Sequence, residues 1–257
     1  MPLPGRKRHR AKKRPKLGLG PLNALLLRSG KGTTLVVPPT DCVDEKERRM
    51  TTDEAAQRLV DYIKSRPDFV YHKVDPPYGH TGATIADSIL QANNRYSSVT
   101  PRIRRILARW PRENTVTAVL DVLKSVPAVQ YLNWNGKDRA DRFCEVLVLL
   151  KREGVESESD FRTWLEKDTN LPKLRAIHGI GPKTVDYFRL MVGFQGAAID
   201  RRLLRFLSMA GISLSQSDYS AMLAIIYRAA DLASVPRAVF DHSIWRYIGD
   251  HVDSACT

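Results

Sequence analysis

The stretch that decides the fold runs from residue 177 to residue 207 and reads "IHGIGPKTVDYFRLMVGFQGAAIDRRLLRFL". Near its start, Gly179 and Gly181 flank one aliphatic residue, and Pro182 follows directly. Glycine permits the positive φ angles of a tight turn, and proline fits the first position of a helix, where its missing N–H costs nothing. The pattern therefore predicts two helices joined by a very short turn.

The same turn has the properties of an anion site. Glycines leave the backbone uncovered, so that its N–H groups can approach an anion, and the next helix directs the positive end of its dipole at the same place. Lys183 lies in the first turn of that helix, where a cation is disfavoured unless an anion or a reaction needs it. We expect a DNA phosphate at the turn, although a turn without a ligand has the same pattern. The candidate contacts are Gly179, Ile180, Gly181 and Thr184.

An aspartate follows on the C-terminal side of this region. Asp200 comes 17 residues after Lys183, behind a glycine-containing connection and directly before an amphipathic run. Aspartate is among the preferred N-cap residues, so a purely structural role is open. A capping carboxylate is also fixed in direction, and the capping role is therefore compatible with a chemical one.

The positive charge of the chain is concentrated at its N-terminus. The formal net charge is +13, and residues 1–31 contain ten of the 41 Lys and Arg residues but none of the 28 Asp and Glu residues. The remaining 226 residues therefore carry 31 basic and 28 acidic side chains. A segment as basic as residues 1–31 cannot bury a hydrophobic core. We therefore expect residues 1–50 to be a largely disordered basic extension that is attracted to nucleic acid. A solubilising or targeting role for the extension is also open.

The cysteines limit the possible cofactors. Cys42, Cys144 and Cys256 are more than a hundred residues apart, which excludes a disulfide framework, a zinc site built on cysteines and a four-cysteine iron-sulfur cluster supplied by this chain. We expect no metal and no cofactor, and a reducing intracellular compartment. No stretch approaches the roughly 20 consecutive apolar residues of a membrane span, so we expect no membrane partner.

From Thr51 onward the sequence pattern is helical almost throughout. Thr51 and Glu54 have the spacing of a capping box, and apolar residues then recur at intervals of three and four. No alternating strand pattern interrupts the helices, so we predict an all-α fold with about eleven helices over residues 51–257. After the first helix, the predicted ranges are 83–94, 101–109, 115–125, 137–152, 158–167, 172–178, 182–193, 200–210, 216–232 and 236–251.

Residues 177–207 as a whole resemble the signature of the helix-hairpin-helix DNA glycosylase superfamily, in its endonuclease III-like branch. The resemblance extends over about residues 55–250, with specific motifs only from 174 to 207. It implies two helical subdomains with the active site in the cleft between them. The N- and C-terminal helices would form one subdomain and residues of about 83–200 the other. Only Cys256 lies where many relatives hold an iron-sulfur cluster, so that cluster is not expected here.

The resemblance also implies roles for individual residues. Lys183 stands where bifunctional relatives have their nucleophilic lysine, and Asp200 stands where the family has its catalytic aspartate. Asn93, in "GATIADSILQANNRY", lies near the place of a residue that probes the duplex after base extrusion. The implied activity is base-excision repair, in which a damaged or mismatched base is flipped out and excised, with AP lyase cleavage through a lysine Schiff base. The implied enzyme is a monomer that acts on double-stranded DNA, in the nucleoid or the nucleus.

The sequence leaves three points open: the role of Lys183, the position of the last helix and the identity of the excised base. Lys183 could contact a phosphate only, with Asp200 and a water excising the base, or the chain could be a non-catalytic DNA-binding protein. The last predicted helix could line the base pocket through Asp241, His242 or Trp245, or place them in the core. The identity of the excised base is not indicated.

Overall fold

The computed structural model describes residues 50–252 except 93, 95 and 216, and these residues belong to one compact unit. Within the described part of the chain every regular element is helical, which confirms the all-α fold. None of the described helices is long and apolar enough to span a membrane. The predicted basic extension, apart from Met50, lies outside the described residues.

Twelve α-helices are present in the described residues, with a short 3-10 turn at Asp168–Asn170 and a π-helical turn at Ile248–Val252. In chain order they are α1 (Thr52–Lys64), α2 (Thr81–Leu90), α3 (Tyr96–Arg109), α4 (Val116–Leu123), α5 (Ala128–Tyr131), α6 (Lys137–Arg152), α7 (Glu158–Leu165), α8 (Leu171–Arg175), α9 (Pro182–Met191), α10 (Arg201–Met209), α11 (Tyr219–Leu232) and α12 (Arg237–Tyr247).

Two hydrophobic cores hold these helices together. The middle core consists of buried side chains between residues 83 and 192, contributed by α2 to α9. The terminal core consists of buried side chains from residues 55–63 and 197–248, contributed by α1 and by α10 to α12. Helix α1 packs against α11, and α2 packs against α3, α6 and α9. The chain therefore leaves the terminal core after α1 and returns to it through the connection between α9 and α10.

The start of α1 has the predicted capping box. The backbone N–H of Thr51 donates to Glu54 Oε2 at 2.8 Å, and the N–H of Glu54 donates to Thr51 Oγ1 at 3.2 Å. These two bonds satisfy donors that the helix itself leaves without partners. The prediction of a helix start at this pair is confirmed.

The third helix begins earlier than the sequence suggested. We predicted a start at Pro101, but α3 begins at Tyr96 and contains Pro101 in its interior. Val99, Ile103 and Ile106 are all buried and recur at helical intervals, so burial of this face outweighs the backbone hydrogen bond that proline cannot make. Helix α5 was not predicted, because four residues are too few to show a helical period.

Candidate active site

The predicted turn lies between α8 and α9. Gly179 adopts φ +81°, the left-handed conformation that favours glycine. Gly181 is the N-cap of α9 with an extended backbone at φ −98° and ψ −178°, so it does not need the positive φ that we had considered. A Cβ added at Gly181 would meet no described protein atom within 4 Å. The backbone at Gly181 is therefore open to a ligand, whereas Gly179 is required by the turn itself.

An arginine that was not among the predicted site residues lies against the turn. The Nε of Arg142, on α6, donates to the backbone oxygen of His178 at 2.8 Å. A Cβ added at Gly179 would lie 1.9 Å from the Arg142 guanidinium, which is far inside van der Waals contact. The positive φ angle is the reason that Gly179 is required, an added Cβ would in addition displace the Arg142 guanidinium, and Arg142 adds a positive charge beside the turn.

The structure brings the two predicted chemical residues together. Lys183 is the second residue of α9, and its Nζ lies 3.8 Å from Asp200 Oδ2. The two side chains are 29% and 17% exposed, so both are largely shielded but reachable. Asp200 Oδ1 accepts from the backbone N–H groups of Arg202 at 2.8 Å and Leu203 at 3.1 Å. Asp200 therefore caps α10 with one oxygen and directs the other at the lysine.

The lysine–aspartate pair lies in the wall of two cavities. The first, the large cleft, has a volume of about 910 Å³ and also contains Gly181 in its wall. Among the described residues, its charged side chains are one carboxylate, Asp200, and four cations: Lys183, Arg201, Arg202 and Arg205. A polyanion is the ligand that such a wall favours.

The second cavity, the small pocket, has a volume of about 160 Å³. It shares four wall residues with the large cleft, so the two cavities meet at these residues: Gln91, Lys183, Asp200 and Trp245. Aromatic side chains from four separate segments also line the small pocket: Tyr78, Tyr96, Tyr187 and Phe194. A planar ring is the ligand that aromatic walls stack against most readily.

Helix α2 and its C-cap residue supply two buried polar side chains to the small pocket, Asp87 and Gln91. Asp87 is 3% exposed, and its Oδ2 accepts from the Tyr78 hydroxyl at 2.7 Å. Burial raises the pKa of the Asp87 carboxyl to about 6. Gln91 is 7% exposed. In the part of the chain that the structure describes, neither Asp87 Oδ1 nor Gln91 Oε1 has a hydrogen-bond partner. No sequence signal had singled out either residue.

The three candidates on α12, Asp241, His242 and Trp245, all line the small pocket. Asp241 is 8% exposed, and its Oδ1 accepts from the backbone N–H of Ala198 at 3.2 Å. Burial, reinforced by the negative charge of Asp200, raises the pKa of the Asp241 carboxyl well above its ordinary range. Asp241 thus anchors the connection that leads into Asp200.

A second contact secures the helix that carries the lysine. The Tyr219 hydroxyl, at the start of α11, donates to Asp186 Oδ2 on α9 at 2.6 Å. Burial raises the pKa of the Asp186 carboxyl, while the bond to Tyr219 lowers it. This bond links α9 of the middle core to α11 of the terminal core, beside the large cleft.

The remaining predicted DNA contacts are Asn93, Ile180 and Thr184. Asn93 lies outside the described residues. Ile180 and Thr184 are buried and line neither cavity, and their backbone N–H groups already donate to the backbone oxygens of Ile177 and Gly181. Within the described ranges, no group of three His, Cys, Asp or Glu side chains is placed to hold a metal ion.

These features define a class of site: an amine and a carboxylate at the junction of a cationic cleft and an aromatic pocket, next to an open glycine turn. A scan against protein-family models finds no match to the chain, and a search of curated proteins finds none either. The assignment of a function therefore depends on the geometry and on the sequence pattern.

Proposed function

We propose that this protein is a helix-hairpin-helix DNA glycosylase with AP lyase activity, which extrudes and excises a damaged or mismatched base. The observation that carries the proposal is the 3.8 Å approach of Lys183 Nζ to Asp200 Oδ2, where the large cleft meets the small pocket. Simple binding of DNA requires cations but does not require a carboxylate beside one of them. A nucleophilic amine with an electrostatic partner requires both.

The arrangement of the two cores supports the glycosylase fold. Gln91 and Lys183 come from helices of the middle core, whereas Asp200 and Trp245 come from the region of the terminal core. All four residues line both cavities. An active site in a cleft between two helical subdomains, as the resemblance implies, accounts for this distribution.

The large cleft is the proposed seat of the DNA strand. The open backbone of Gly181 and the N–H of Lys183, in the first turn of α9, would hold a phosphate, as helix N-termini do. Arg201 and Arg205 are exposed on α10 and would contact neighbouring phosphates. Contacts of this kind position a duplex without reading its sequence, which suits an enzyme that must search undamaged DNA.

The small pocket is the proposed site of the extruded base. A glycosidic carbon is out of reach inside a duplex, so the nucleotide must leave the stack before it can react. An engineered cavity of roughly 150 Å³ binds benzene, so a pocket of about 160 Å³ has space for a six-membered ring. A larger ring system would extend toward the large cleft, which is continuous with the pocket at Lys183 and Asp200.

The chemistry then follows from the two side chains. The neutral amine of Lys183 donates its lone pair to the sugar C1′ as the C1′–N bond breaks, and the base leaves with the electrons of that bond and acquires a proton from solvent. Asp200 stabilises the positive charge that develops on the sugar and accepts the proton that the amine loses. The C1′–O4′ bond then opens, with O4′ taking the proton that Asp200 holds, and gives a protonated Schiff base. Transfer of a C2′ proton to water expels the 3′ phosphate, and hydrolysis of the Schiff base by a second water releases the lysine.

A panel of duplexes tests the proposal, each with one lesion and each analysed with and without alkali. A bifunctional enzyme cleaves the strand without alkali, whereas a monofunctional enzyme that uses Asp200 and water leaves abasic sites that only alkali cleaves. A non-catalytic binding protein leaves every duplex intact under both treatments. Strand cleavage without alkali is the expected result, and intact duplexes throughout would overturn the proposal.

A further inference from the structure

Two hydrogen-bond acceptors on α2 lack partners within the described structure. They are Asp87 Oδ1 and Gln91 Oε1: Asp87 lies in α2, and Gln91, four residues later, is the C-cap of that helix and still has helical backbone angles. Side chains at this interval lie on the same helix face, about 5–6 Å apart at Cβ. Both residues line the small pocket and are more than nine-tenths buried. A buried acceptor without a partner costs free energy, which a bound donor would recover.

The contact with Tyr78 leaves one oxygen of Asp87 available. The Tyr78 hydroxyl donates to Oδ2 at 2.7 Å, so it holds the carboxylate in place and leaves Oδ1 for a ligand. The third buried polar atom without a described partner, the Tyr131 hydroxyl, belongs to a side chain that lines neither cavity. Both unpartnered acceptors of α2 and its C-cap therefore belong to residues that line the small pocket.

Two acceptors on one helix face, in the wall of one pocket, select among the nucleobases. The pairing edge of guanine presents N1–H and the 2-amino group side by side. Adenine and cytosine place a ring acceptor beside their single amino group, and thymine and uracil place one N–H between two carbonyl oxygens. Only a guanine-type edge offers two adjacent donors, whereas each of the other edges would direct a lone pair at Asp87 or Gln91. A buried site of this kind discriminates strongly against ligands that leave its polar groups unpaired.

We propose that the small pocket accepts a guanine-type base, whose N1–H and 2-amino group donate to Asp87 Oδ1 and Gln91 Oε1. This inference rests on the proposed function and specifies its substrate class. Tyr187 and Trp245, which line the pocket from α9 and α12, supply aromatic surface for the purine ring. Lys183 and Asp200 complete the pocket wall on the side of the sugar.

The substrate itself provides the first test. Two duplexes are compared under single-turnover conditions with the parental protein: one contains 8-oxoguanine, and the other contains 8-oxohypoxanthine, which lacks only the 2-amino group. The expected result is excision of 8-oxoguanine about ten- to a hundredfold faster. Equal rates for the two bases, or excision of pyrimidine lesions alone, would overturn the inference. This comparison uses the intact chain and does not depend on the folding of a variant.

Substitutions at Asp87 and Gln91 test whether these two side chains recognise the base. Asp87→Asn replaces an acceptor by an amide of the same shape, and Gln91→Met removes the polar end of the side chain. Asp121→Asn is the matched control, because Asp121 is exposed on α4 and lines neither cavity. An abasic duplex offers no base to Asp87 or Gln91, so borohydride trapping on it measures the catalytic competence of each variant apart from base recognition. Each excision rate is therefore divided by the trapping yield of the same variant. The preference for the amino-bearing base should shrink to about threefold or less in the two pocket variants and persist in the control. A preference that persists in both pocket variants would contradict the inference.

Abasic DNA also distinguishes failure of the guanine assignment from failure of the proposed function. Trapping of the parental protein together with excision of lesions other than guanine-type bases would refute the guanine assignment and leave the proposed function in place. Absence of both trapping and excision, with every lesion of the panel, would refute the proposed function and the inference with it.

Discussion

The Nζ of Lys183 lies 3.8 Å from Asp200 Oδ2, and each residue stands at the start of its own helix. Lys183 is in the first turn of α9, where the helix dipole disfavours a cation. Asp200 is the N-cap of α10, where the dipole and two backbone N–H groups favour a carboxylate. The carboxylate of Asp200 thus compensates the unfavourable interaction between Lys183 and the dipole of α9. Both side chains lie where the large cleft meets the small pocket.

Replacement of Asp200 by asparagine should separate its chemical role from its structural one. Asparagine caps a helix about as well as aspartate, so we expect Asp200→Asn to change the free energy of unfolding by less than about 1 kcal/mol. Loss of the charge facing Lys183 should lower the single-turnover excision rate by about 10²- to 10³-fold. Urea unfolding and excision kinetics on the same preparation measure the two effects.

Asp200→Ala is the companion variant, because it removes both the cap and the charge. It should lose as much activity as Asp200→Asn and an additional ~1 kcal/mol of stability. Parental excision by Asp200→Asn, together with loss of activity only in the alanine variant, would assign Asp200 a structural role alone.

Replacement of Gly179 should cost more stability than replacement of Gly154, a glycine with a similar backbone conformation outside the turn. Gly179 and Gly154 have similar positive φ angles, +81° and +73°, but an added Cβ meets the Arg142 guanidinium only at Gly179. Gly154→Ala should cost about 1–2 kcal/mol for the left-handed backbone. Gly179→Ala should cost up to about 1 kcal/mol more, because the Arg142 guanidinium must move away from its hydrogen bond with His178, and should weaken duplex binding about tenfold. Equal stabilities and equal DNA affinities for the two variants would contradict this account.

The buried carboxyl of Asp87 should make stability depend on pH. Its pKa is raised from 3.8 to about 6 in the folded state, so between these values the folded protein binds more protons than the unfolded chain. The contribution of Asp87 to stability is then fully present below pH 3.8 and is lost as the pH rises through about 6, a loss of about 3 kcal/mol. The measurement is the difference in unfolding free energy between the parent and Asp87→Asn, from about pH 4 to about pH 7.

Asp121→Asn reports the general effect of one lost negative charge in the same series. A parent-minus-Asp87→Asn difference that stays constant across the pH range would show that Asp87 is not a buried titrating group. A difference that increases with pH would have the sign of a depressed pKa and would equally contradict the structure.

The basic extension should contribute to affinity through its charge. Residues 1–16 contain eight Lys and Arg side chains, and each phosphate that a protein neutralises adds about 0.9 to the slope of log K against log salt concentration. Deletion of residues 1–16 should therefore reduce that slope by up to about 7, while single-turnover excision by the bound enzyme stays largely intact. An unchanged slope would remove the extension from the DNA-binding account.

The sequence was most informative where helical periodicity and end signals agreed. The range 137–152 was predicted without error, because a glycine precedes it and an uninterrupted apolar period runs through it. Prediction was less accurate where tertiary packing decided the outcome. The face of Val99, Ile103 and Ile106 continues α3 through Pro101, which local rules interpret as a helix start.

The candidate site was predictable where local sequence signals carry it, and Asp241, His242 and Trp245, which the last predicted helix offered as pocket residues, do line the small pocket. Lys183 and Asp200 both lie in the stretch of residues 177–207, so motif and spacing could select them. Asp87, Gln91 and Arg142 come from distant segments, and each matters through a long-range contact: with Tyr78 and the small pocket, or with the backbone beside Gly179. Nothing in a single sequence reports such contacts.

The most direct test of the central claim is borohydride trapping on a duplex with one abasic site. Lys183→Gln is compared with the parent and with Lys124→Gln, whose lysine is exposed on the surface and lines neither cavity. If Lys183 is the nucleophile, the parent and the control form a covalent adduct, and the yield of adduct with Lys183→Gln is lower by at least about a hundredfold. Trapping of Lys183→Gln at the parental yield would show that another amine attacks the sugar, and would contradict the account.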